Sequence, residues 1–68
     1  MTNTILLEQY IGESGYKKSF IAKELGITAY VLSMKINGKS EFKASEIDTL
    51  STLLNIGVKD RMRIFFAK

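Results

Sequence analysis

The side chains able to do chemistry in this chain are few in kind. Neither histidine nor cysteine occurs, so the commonest general base, the commonest metal ligand and any thiolate nucleophile are missing. Carboxylates, lysines, hydroxyls and amides remain, and they suit binding better than catalysis. An ammonium grips a phosphate or an acidic patch, and a hydroxyl or amide meets a hydrogen-bonding edge. The expectation is therefore a binding protein, with no enzyme activity, cofactor or metal. The lysines are also unevenly placed. Residues 1 to 16 hold Glu8 and Glu13 and no base, whereas residues 17 to 43 hold six lysines against Glu24 and Glu41, a local charge of +4 within a net +3.

Inside that basic stretch two sets of residues recur at helical spacing. Tyr30, Ser33, Met34 and Asn37 fall three and four residues apart and so share one stripe, with Thr28 and Ala29 at its start and Lys18 beside it. These seven are the candidate face for a partner or for DNA. Lys17, Lys35 and Lys39 surround them as candidate contacts to phosphate or to an acidic patch. Leu32 and Ile36 stand one turn apart on the other side of the same helix and would hold it to a core.

Such a face needs a scaffold, and 68 residues allow one small core. Glycines punctuate short apolar-periodic segments, without strand-like alternation, so the expectation is an all-α, five-helix single domain over residues 1–68. The first helix runs from about Thr4, as cap, to Ser14, with Gly15 as stop. The second spans Lys18 to Leu25 and stops at Gly26, and the third runs from Ala29, capped by Thr28, to about Asn37, with Gly38 beyond. The fourth begins around Ala44 to Glu46, where Ser45 and Asp48 have capping-box-like spacing, and ends near Asn55. The fifth repeats the helical period through Val58, Met62 and Phe65, with Phe65 assigned to the core. No export signal or membrane-length apolar run appears, so no membrane contact and a cytoplasmic location are expected.

The stretch KKSFIAKELGITAYVLSMKINGKSEF, residues 17 to 42, has a geometric logic of its own. Two short helices meeting steeply need a small residue where they approach, a glycine for the turn and an apolar wedge after it; Ala22, Gly26 and Ile27 supply these in order. Through Ile21-Ala22, Leu25-Gly26-Ile27-Thr28, Leu32-Ser33 and Lys35-Ile36-Asn37-Gly38-Lys39, it resembles the helix-turn-helix of the lambda-repressor and Cro superfamily, in the form common among small regulators of Gram-positive phages. Phe42, Glu46-Ile47 and the final IFF extend the resemblance over nearly the whole chain. It implies a lambda-repressor-like domain, often a homodimer, that regulates the lysis/lysogeny choice of a temperate phage.

The chain departs from that pattern at its reading positions. Lys17 and Lys18 stand where the family has a capping threonine and a DNA-contacting glutamine, and Met34 stands where an arginine is frequent. The outward positions that open the third helix are Ala29, Tyr30 and Val31 rather than polar readers. Bases are discriminated chiefly by Arg, Lys, Asn and Gln, so this face is a poor base reader. Two readings follow. The chain is similar to the modulator-of-repression proteins of lactococcal temperate phages, which implies an antirepressor that grips the DNA-binding domain of a phage repressor. The alternative is a Cro-like repressor acting directly on operator DNA.

Overall fold

A computed structural model describes residues 2–66 and contains five helices in this order: α1 (Thr4–Ser14), α2 (Lys18–Leu25), α3 (Ala29–Ile36), α4 (Ala44–Leu53) and α5 (Val58–Phe65). No strand occurs among the described residues, and no helix there is long and apolar enough to cross a membrane. Each helix is too short to persist alone in water, so the stability of all five comes from the surface they bury together. That surface is one cluster drawn from every helix: Leu7 and Ile11 of α1, Ile21 and Ala22 of α2, Leu32 and Ile36 of α3, Leu50 of α4, and Ile64 and Phe65 of α5, with Phe42, Leu54 and Ile56 from the connections. Phe42 lies edge-on to Phe65 with ring centroids 5.3 Å apart, as aromatic quadrupoles prefer.

The helix ends follow from local chemistry. At the end of α2, Gly26 takes a left-handed φ of +73°, its N–H donating to the Lys23 carbonyl and that of Ile27 to Ala22. α3 ends the same way at Gly38, and α4 uses Asn55 at φ +57°, with the Asn55 N–H donating to Thr52 and the Ile56 N–H to Ser51. In each case two otherwise orphaned carbonyls are satisfied, and the chain turns back toward the core.

Three local expectations need correction. Asn3, not Thr4, caps α1: its side chain accepts from the Leu6 N–H at 3.1 Å, while the Thr4 hydroxyl donates at 2.6 Å to the Ile36 carbonyl at the end of α3. The reciprocal carboxylate of α4 is Glu46, which accepts the Lys43 N–H at 2.8 Å; Ser45 and Asp48 are both exposed. On α5 the buried side chains are Ile64 and Phe65, and Val58 and Met62 lie exposed. Phe65 is core as expected, but the face it shares is different.

Ala22 is 2 % exposed on α2, against which both α3 and α4 pack. With neighbours on that side, added methylenes have nowhere to go. Ala22→Leu is expected to cost about 1 to 3 kcal/mol, read as a lower urea midpoint with an unchanged slope. An unmoved midpoint would mean that the α2–α3 approach is looser than drawn.

Candidate functional site

The candidate face is built on α3, and its rigidity comes from both ends of that helix. At the start, the Thr28 hydroxyl accepts the Val31 N–H at 3.1 Å, an N-cap that fixes where the helix begins. At the finish, the Lys39 N–H donates to Met34 at 2.9 Å and the Gly38 N–H to Lys35 at 3.2 Å. Leu32 and Ile36, essentially inaccessible, fasten the inner side. The helix therefore cannot roll without breaking core contacts, and the opposite stripe is presented in one orientation.

On that stripe Ala29, Tyr30, Ser33 and Asn37 are exposed and Met34 is half-buried, while Thr28 is exposed at the cap. Tyr30 stands out at 74 % exposure, well above Tyr16 at 42 %. The structure thus brings together six residues of the candidate face, four on α3 and the caps Thr28 and Asn37 at its ends. It gives the surrounding lysines more varied fates.

Lys17 and Lys39 are exposed. Lys18 is exposed too, and its ammonium sits 2.9 Å from the Glu8 carboxylate of α1 in a surface pair of the kind worth at most about 1 kcal/mol. Lys35, expected to contact phosphate or an acidic patch, is instead buried: its side chain is 7 % exposed and its ammonium is hydrogen-bonded to the Glu46 carboxylate of α4. The physical reason is its angle on α3. Lys35 lies next to Ile36 on the inward side, and a charge there is tolerable only when paired. The Phe42 ring, with its centroid 6.0 Å from the Lys35 ammonium, packs nearby.

Glu46 holds three functions at once. It pairs with Lys35, accepts the Lys43 N–H and lies in the first turn of α4, where negative charge is favoured. Burial pushes its pKa up, but the Lys35 hydrogen bond, the Lys43 N–H and the two ammonium charges outweigh that and hold the carboxyl below its ordinary value. Glu46 figures in the sequence only as part of the family resemblance, and the i to i+3 spacing of Lys43 and Glu46 is the one local signal of its pairing role.

A second feature missed from sequence is the Tyr16–Phe20 pair at the start of α2, both rings about two-fifths exposed with centroids 5.0 Å apart. They flank Lys17, so the exposed surface around α2 is aromatic as well as basic. An open groove between α2 and α4, lined by Glu24, Asp48 and the hydroxyls of Ser45, Thr49 and Thr52, lies apart from the α3 stripe. Among the described residues no three acidic side chains gather as metal ligands would. The chain matches no family model, no curated protein and no solved structure in comparison with known proteins.

Proposed function

We propose that this chain is a small transcriptional regulator with a helix-turn-helix of lambda-repressor type, α2 and α3 forming the motif, and that it acts as an antirepressor. Its α3 face grips the DNA-binding domain of a partner repressor in the lysis/lysogeny switch of a temperate phage. The observation that carries the reading is Tyr30, 74 % exposed at the centre of a stripe with Ala29, Ser33 and the half-buried Met34. Tyrosine and methionine are favoured at protein interfaces, and an exposed aromatic of that size is a natural anchor for a partner's pocket. The charge distribution supports the same reading. With Lys35 buried against Glu46, the lysines assigned to phosphate reduce to Lys17 and Lys39, a thin set for operator binding.

Calorimetry against the DNA-binding domain of a repressor encoded beside this gene tests the proposal. Tyr30→Ala is expected to cost on the order of 2 kcal/mol, about thirtyfold in Kd. In gel-shift competition at near-physiological salt, the chain alone should bind early-promoter DNA no better than random duplex. Undiminished repressor binding by a folded Tyr30→Ala, or tight selective DNA binding by the chain alone, would overturn the antirepressor reading.

A further inference from the structure

α5 buries only part of its apolar surface. Ile64 and Phe65 face the core, yet Val58, Met62 and Phe66 are 73 %, 56 % and 55 % exposed. Val58 and Met62 lie one turn apart on one shoulder of the helix, and Phe66, the C-cap whose N–H donates to the Met62 carbonyl at 3.1 Å, follows just beyond its end. Isolated exposed apolar residues need no explanation, but two on one face of a short helix with a third at its C-cap form a patch.

The charges around the stripe say what would cover it. α5 carries Lys59, Arg61 and Arg63 against Asp60 alone. Arg61 reaches toward Asp48 at 3.8 Å and Arg63 toward Asp60 at 3.4 Å, both long contacts, and among the described residues Lys59 makes no ion pair. A second copy of this chain would bring like charge against like charge. A short helix with an apolar stripe and acidic flanks avoids that repulsion, with apolar side chains packed together in the middle and carboxylates toward Lys59 and Arg63 at the edge.

We infer that the Val58, Met62 and Phe66 shoulder of α5 is a second docking surface, whose partner is an acidic amphipathic helix of another protein. This surface does not depend on the α3 face or on the function assigned to it. It would let the chain hold two proteins at once.

The test is an NMR titration of the isotopically labelled full chain. The probe is a synthetic helical peptide with leucines at i, i+3, i+4 and i+7 flanked by glutamates, alongside a control peptide with lysines in place of the glutamates. The acidic peptide is expected to shift the amides of α5, and the lysine peptide to leave them in place. Met62→Gln should weaken binding about tenfold, and Lys59→Glu about threefold or more at low salt. Tyr30→Ala should leave binding unchanged. Both α5 positions are exposed, so these variants keep the fold, as circular dichroism will verify. An absence of α5 shifts at millimolar acidic peptide would overturn the inference, as would an equal response to the lysine peptide. So would concentration-dependent self-association of the chain alone that Met62→Gln abolishes, since the occupant would then be a second copy.

Discussion

Replacing Glu46 by leucine is expected to destabilise the protein by about 3 to 5 kcal/mol, because the Lys35 ammonium then loses its partner inside the fold. The side chains of Lys35 and Glu46 are 7 % and 8 % exposed, so neither end can turn to water without moving backbone. The loss should come chiefly from the stranded charge rather than from an attraction removed. Lys35→Met with Glu46→Leu therefore separates the two effects. The double variant is expected to recover most of the lost stability, short of the part due to the Lys43 N–H, which keeps no carboxylate acceptor. Urea unfolding of the three proteins at neutral pH checks this, and a Glu46→Leu midpoint equal to wild type would refute it.

Acid acts on the same pair. The folded chain holds the Glu46 carboxyl below its ordinary value, so the folded state binds this proton less readily than the unfolded chain does. The resulting stabilisation is complete above the ordinary glutamate range of about 4.3 and is lost as pH falls through the lower, folded value. Wild-type stability should therefore fall in acid, and the double variant should lose the portion of that fall that Glu46 causes. The consequence for function is mechanical. Lys35 belongs to α3 and Glu46 to α4, so the pair fixes the far end of the helix that carries Tyr30 without touching a ligand itself.

The sequence was most informative where structure is set locally. Gly26 and Gly38 could be read as stops because a left-handed residue ends a helix whatever its surroundings, and Thr28 as a cap because its acceptor is three residues away. The α3 stripe was legible for the same reason: once Leu32 and Ile36 face inward, helical geometry alone turns Tyr30, Ser33 and Asn37 outward. Long-range partners were not legible. Thr4 and Asn3 are equally able to cap α1, and a carbonyl 32 residues away claims the Thr4 hydroxyl. Lys35 reads as a solvated lysine until Glu46, 11 residues on, is placed beneath it. In α5 and at its C-cap the apolar residues at 58, 62, 64, 65 and 66 contain two overlapping faces, and periodicity cannot choose between them. The choice is made by the Asn3 N–H bonding the Ile64 carbonyl at 2.7 Å and by Phe42 meeting Phe65.

That choice makes Phe65, the last residue of α5, and Phe66, its C-cap, opposites in energy. Phe65→Ala is expected to cost about 3 to 5 kcal/mol, from lost transfer energy, the cavity left behind and the edge-to-face contact with Phe42. Phe66→Ala, at a side chain more than half exposed, should stay within about 0.5 kcal/mol of wild type. A chain of this length has roughly 3 to 10 kcal/mol of stability in all. The Phe65 variant should therefore melt on the order of 20 °C lower, with a measurable unfolded population at room temperature, while its neighbour melts as wild type does. Thermal unfolding of the pair by circular dichroism is decisive, since both variants make the same chemical change one position apart. Equal costs would place the α5 rotation in error, and with it the exposed shoulder of Val58, Met62 and Phe66. A large cost at Phe65 alone would tie the loop before α4 to the last turn of α5, because Phe42 would lose the ring it packs against.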